Sequence, residues 1–145
     1  MRTNLVILFA LFLIGCKAFD EDPNAAARLQ LGINRQKWIA QAVHDYSFNY
    51  DFSAMVLSRP LHIEVRADTV NQVVDCINQA VYANAGAPTI DSLFTTIARS
   101  LSDQRATLAV DYNQPIGYPT NIDVSSMVIA DFGFSIRITN FQPFN

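Results

Sequence analysis

From Tyr46 to Phe52 every second residue is aromatic, with Ser47, Asn49 and Asp51 between the rings of Tyr46, Phe48, Tyr50 and Phe52. A period of two places alternate side chains on opposite faces of a strand, and aromatic rings favour a pleated, half-buried surface. This stretch therefore reads as a strand with one apolar face, and the rest of the chain must supply it with neighbours and a cover. The same four rings could line a pocket for an apolar ligand, but under a layer of helices they are core, and core is the expectation.

The neighbours follow in order. After a loop expected over Ser53 to Arg59, Pro60 opens a second alternating segment, with Leu61, Ile63 and Val65 on one side and His62, Glu64 and Arg66 on the other. Ala67-Asp68-Thr69 reads as a short turn, and Val70 to about Val81 as a third strand. Tyr82 to Pro88 is the best candidate for an exposed loop. Ala106 to Tyr112 is a further strand, Asn113 to Gly117 a turn holding both Pro115 and Gly117, and Ile122 and Val124 lie in another strand reaching toward Met127 to Ile129. In the last strand, Phe134 to Phe141, Phe134, Ile136 and Ile138 alternate with Ser135, Arg137 and Thr139.

Two segments have helical spacing. Leu31, Trp38, Ile39, Ala42 and Val43 share one face and predict a helix from about Ala26 to Val43, capped by Asn24 or an earlier Asp and weakened by Gly32. Thr89 is placed to cap a second helix, with Asp91 in its first turn where the helix dipole favours an acid. Its stripe is Ile90, Leu93, Phe94, Ile97, Ala98 and Leu101. The order α-βββ-α-βββ predicts one α+β domain over residues 28–145: a single antiparallel sheet of about five or six strands with two helices packed on one face. The repeated helix-then-strands order hints at duplication, although the two halves share too little residue by residue to support it. The uncovered face would carry His62, Glu64, Arg66 and Arg137.

The start of the chain carries a different message. Met1 to Asn4 holds one basic residue, Arg2, and Leu5 to Ile14 is wholly apolar. Together they read as a secretory signal, since about ten helical residues reach only ~15 Å of a ~30 Å hydrocarbon core. The run ends in Leu13-Ile14-Gly15-Cys16, which looks like a bacterial lipobox. Residues 1–15 are expected to be a lipoprotein signal peptide, Cys16 the lipidated first residue of the mature protein, and residues 16–27 a tether. More than one acyl chain is needed for a lasting anchor, which a diacylated and N-acylated Cys16 would supply. In lipoproteins that this start resembles, Asp after the cysteine retains the protein in the inner membrane. Lys17 stands there instead, so the outer membrane is favoured, on its periplasmic or surface face.

The formal charge of the chain is −3, and loss of residues 1–15 removes Arg2 and no acid, carrying it to −4. Without a Lys/Arg cluster the domain has no footprint for phosphate backbones, so nucleic acid is not an expected partner. Lipidation of Cys16 leaves Cys76 alone. Between Val73-Val74 and Ile77 it reads as a buried small hydrophobe, with a reactive thiol as the other reading.

Catalytic constellations are sparse. The two histidines, His44 and His62, have no metal-ligand spacing, so no metal and no cofactor are expected. His44 reads as a helix-end cation and His62 as a solvated strand residue. No G-x-S-x-G stretch is present; Ser125, Ser126 and Asp123 could form a triad only with a histidine remote in sequence. Asp111, Asn113 and Asp123 could converge on a hard cation, but Asn and Asp beside a turn more often bond their own backbone. Gly117, Tyr118 and Pro119 fix a bend and form the candidate recognition loop.

Trp38 with Asp45 to Phe48, then Thr89 to Phe94, then Tyr112 with Gly117 to Thr120 and Ile122, resemble the ordered landmarks of a bacterial family of unknown function, family 6174, found in small secreted lipoproteins. The resemblance runs from about Arg35 to Phe141. It implies the address and the fold, and it brings no activity. The chain departs from the family pattern at Phe52 to Met55, where a Cys-x-Cys is common, and at Asn113 and Ser125, where Asp is usual. The acidic cluster before the last strand shrinks to Asp131. Any metal or redox role of those residues in relatives is expected to be lost here. The expected function is thus a lipid-anchored envelope module without catalysis, binding an envelope protein or a carbohydrate. A ligand-binding or enzyme-inhibitor domain is the alternative, and an enzyme the third reading.

Overall fold

The computed structural model describes residues 24–83, 86–128 and 133–144. The chain runs α1 (Ala25–Ala40), β1 (Tyr46–Ala54), β2 (Leu57–Arg66), β3 (Thr69–Asp75), β4 (Val81–Tyr82), α2 (Ile90–Ser102), β5 (Ala106–Tyr112), β6 (Pro119–Ser126) and β7 (Gly133–Pro143). All strands join one seven-stranded sheet in the order β4-β3-β2-β1-β7-β6-β5, and each pairing is antiparallel. This is the expected α+β architecture with one strand more than predicted. The aromatic strand β1 sits at the centre, flanked by β2 and β7. In the first half the strand after the helix is central, and in the second half it is at the edge. That is not the arrangement of a repeated unit.

Helix α2 forms as its sequence dictates. Thr89 is extended at the N-cap and its hydroxyl accepts a hydrogen bond from Ser92 N, while Asp91 lies in the first turn. Ile90, Leu93, Phe94, Ile97 and Leu101 are all buried. Helix α1 differs from expectation at its end. Ala42 takes a positive φ of 49°, which stops the helix at Ala40 rather than Val43. The face turned inward is Ala27, Leu31, Asn34 and Trp38, and Ile39 stays 54% exposed. The helix also begins at Ala25, so residues 25–27, expected in the tether, are its first turn.

The β1–β2 connection corrects a second expectation. Ala54 pairs with Leu57, so Met55 and Val56 alone make the turn and no loop spans Ser53 to Arg59. Pro60 lies inside β2 rather than at its start. Its carbonyl accepts from Cys76 N at 3.0 Å, just past the point where β3 has ended, so its missing N–H leaves no ladder bond unmade.

Cys76 is exposed, not buried. The carboxylate of Asp75 accepts from the backbone N–H groups of Ile77 and Asn78, and Asn78 Oδ1 accepts from Ala80 N. This side-chain turn ends β3 at Asp75 and leaves the Cys76 and Ile77 side chains exposed.

Candidate functional site

The strongest candidate from the sequence, Cys16, and the signal before it lie outside the described residues, as do Ile129 and Asp131. Helix α1 starts at Ala25. Helices α1 and α2 lie antiparallel across the sheet. Trp38, near the end of α1, donates through Nε1 to Asp91 Oδ2 at 3.2 Å at the start of α2, and Arg28, near the start of α1, donates to Leu101 O at 2.8 Å at its end. Asn24 is therefore at the same end of the sheet as the close of α2.

That end also holds the Met55-Val56 hairpin turn and the exit of β6, because Ser53 pairs with Ser135 and Ser125 with Gly133. Met127 N donates to Arg105 O at 2.7 Å. A surface depression is shared by Asn24, Arg28, Leu101 and Met127, and a second by Met55, Ser126 and Gly133. Met55, Val56, Leu57, Met127 and Val128 all project into solvent there. Sequence reading missed this patch; the signal was an apolar Met-Val-Leu run inside a stretch assigned to a loop.

The opposite end is closed by polar contacts. Asp45 Oδ1 accepts from Ala67 N at 2.7 Å, Asp68 N donates to His44 O at 3.1 Å, and Phe144 N donates to Asp45 O at 2.9 Å. His44 Nδ1 lies 2.8 Å from Asp68 Oδ2, and the Arg66 guanidinium stacks 4.0 Å above the Phe144 ring. His44 and Asp68 edge a cleft of about 350 Å³ with Asp91, whose carboxylate already receives the Trp38 N–H.

The other sequence candidates are dispersed. His62 Nδ1 sits 2.8 Å from Asn49 Oδ1 on the open sheet face, away from His44. Asn113 Oδ1 accepts from Ile116 N at 3.0 Å, which is turn chemistry, and Asp123 receives the Asn121 side-chain amide. Among the described residues no three His, Cys, Asp or Glu side chains form a metal-binding group. Gly117, Tyr118 and Pro119, expected as a recognition loop, are buried. Tyr118 stacks on Phe141 at 4.6 Å, and Phe141 in turn packs with Trp38 and Tyr46. They bind the β5–β6 turn to α1 and leave little surface to present.

Tyr46 and Phe48 are fully buried, and Tyr50 and Phe52 pack against the core from its edge. Tyr46 takes the Ile90 N–H on its hydroxyl at 3.1 Å, satisfying a free donor at the start of α2. Burial pushes the phenols of Tyr46, Tyr50 and Tyr112 up to about 12, the Ile90 bond opposing this at Tyr46. A group held above its unfolded value near 10 binds its proton more tightly in the fold. Its stabilisation is complete below pH 10 and lost as pH rises toward 12. Urea midpoints are thus expected to be level with respect to tyrosine between about pH 7 and 9 and to fall steeply above about pH 10. A midpoint unchanged to pH 12 would contradict burial of these phenols.

Residues 30–143 match the model of a family of unknown function, DUF6174, and the chain belongs to that family. No protein with a curated description matches it. Of the residues that carried the resemblance, Trp38, Tyr46, Asp91 and Tyr118 meet in the contacts above, and Phe94 of α2 stacks on Tyr112 of β5 with ring centroids 6.4 Å apart. The landmarks are the devices that fix α1 and α2 to the sheet.

Proposed function

We propose that this DUF6174 protein is a lipid-anchored component of the bacterial cell envelope, acting there as a non-catalytic binding module. The observation that carries the reading is the apolar run Leu5 to Ile14 closing on Leu13-Ile14-Gly15-Cys16. A lipoprotein signal peptidase cuts before such a cysteine, whose thiol receives the diacylglycerol. Lys17 in place of the retaining Asp favours the outer membrane in an organism with two membranes. Helix α1 opens at Ala25, nine positions after Cys16, so the domain would follow its anchor closely. No helix among the described residues is long and apolar enough to cross a membrane.

A binding role is supported by the disposition of the polar groups. His44, His62, Asn113 and Asp123 are each engaged with a separate neighbour, as a scaffold requires, and do not converge on a common point. The partner class is an envelope protein or carbohydrate. The test is metabolic labelling with a fatty acid in cells producing wild type or Cys16→Ser. Wild type is expected to take up label and sediment with membranes, and the variant to do neither. Equal labelling of the two would refute the anchor.

A further inference from the structure

We infer that the end of the sheet formed by the β1–β2 turn and the exit of β6 is a bilayer-docking face, seating Met55, Val56, Leu57, Met127 and Val128 in the lipid headgroup and upper acyl region. These side chains are between 56 and 101% exposed. A hairpin turn made of Met55 and Val56, without Gly, Asn, Asp or Pro, is a poor choice for water. The left-handed φ of 48° at Met55 adds local strain to it. Apolar tips on otherwise polar surfaces mark protein or membrane contacts.

The position of the chain entry selects the membrane. Asn24 opens α1 at this same end, sharing a depression with Met127. Eight Cα steps separate it from Cys16, a reach of at most about 28 Å. With Cys16 in the bilayer, presenting the opposite end would require the linker to run back along α1, whose 16 residues are about 24 Å long, nearly its whole reach. Presenting the apolar end requires almost none. The opposite end, tied off by Asp45, Asp68, His44 and Phe144, faces away from the lipid and is free for a partner.

The rim carries both signs: Arg28 lines the depression beside Met127, and Arg99, Asp103 and Arg105 line the one beside Val128. Docking rests on insertion of the five exposed apolar side chains, and salt should not release it.

This inference rests on the anchored reading, so the experiment attaches the chain chemically and does not depend on whether cells lipidate it. Residues 16–145 carrying Cys76→Ser are coupled through the Cys16 thiol to a maleimide lipid in phosphatidylcholine vesicles containing brominated phosphatidylcholine. Val56→Trp is compared with Gln114→Trp in the turn at the far end. The native Trp38, buried in the core, supplies a constant background. Quenching of the added tryptophan is expected to be strong at position 56, roughly twofold loss for a ring about 5–10 Å into the boundary, and absent at 114. It should persist in high salt. Equal quenching at the two positions, or none at 56, overturns the docking face. Salt-sensitive quenching at 56 overturns its apolar basis, and the labelling experiment above judges the anchor separately.

Discussion

Replacing Trp38 with alanine is expected to remove about 3–5 kcal/mol of folding stability, the range for truncating a large buried aromatic. Trp38 meets Tyr46 edge-on at 5.4 Å and Phe141 at 5.8 Å, and its indole N–H reaches Asp91 across the helix pair. The change opens a cavity at the junction of α1, α2, β1 and β7 and also frees α1 from α2. A domain of this size holds only about 5–15 kcal/mol in total, so the melting temperature should fall by roughly 10–20 °C. Trp38→Phe keeps most of the packing and loses the hydrogen bond, for about 1–2 kcal/mol. Urea unfolding of the three proteins gives the ordering, and a loss below about 1 kcal/mol for the alanine variant would contradict the role assigned to this contact.

Gly117→Ala is the second large effect, and its cause is different. Gly117 has φ +93°, and a Cβ there would lie 2.4 Å from the backbone oxygen of Asn34 and 2.7 Å from Lys37 Cβ. Neither neighbour can yield easily, because one is helix backbone and the other is fixed by it. Strain at φ contributes about 1–2 kcal/mol and the close approach adds to it, less about 0.4–1 kcal/mol from the stiffer unfolded chain. A net loss of about 2–4 kcal/mol is expected, with the emission of Trp38, on the same helix, moving to the red as α1 is pushed outward. Gly32→Ala is the matched control. A Cβ at Gly32 meets nothing within 4 Å, and it sits inside α1, so alanine there should stabilise by about 0.5–1 kcal/mol. If both variants behaved alike, the close approach at Gly117 would not be the reason for glycine.

These two positions also mark what a reader of the sequence could and could not see. Trp38 was legible as a core residue because helical spacing put it in line with Leu31. The same spacing admitted Ile39 in error, since adjacent stripes on one helix differ only in which neighbour arrives. The β1 alternation, the α2 stripe and its Thr89 cap were legible because each is a local pattern written several times over. The pairing of β1 with β7 was not, because it joins residues some 90 positions apart through partners that no local period encodes. Gly117 showed its turn but not its contact with Asn34 for the same reason.

The remaining misreadings come from turns. Met55-Val56 carries none of the residues that announce a hairpin, so this two-residue turn has the sequence of a loop. Asp75 ended β3 by accepting two backbone N–H groups, which exposed a cysteine that its apolar neighbours had argued into the core. Gly117 and Tyr118, in the expected recognition loop, are held by packing that no local pattern encodes: Tyr118 stacks on Phe141 and Gly117 lies against α1. The candidate surface moved from that turn to the end of the sheet nearest the chain entry.

The proposed anchor makes Cys16 the lipidated first residue of the mature protein. Mass spectrometry of the N-terminal peptide from protein extracted from cell membranes tests it most directly. A peptide beginning at Cys16, with diacylglycerol on Sγ and an acyl chain on the α-amino group, is the expected result. A peptide retaining residues 1–15, or one carrying an unmodified Cys16, would contradict it.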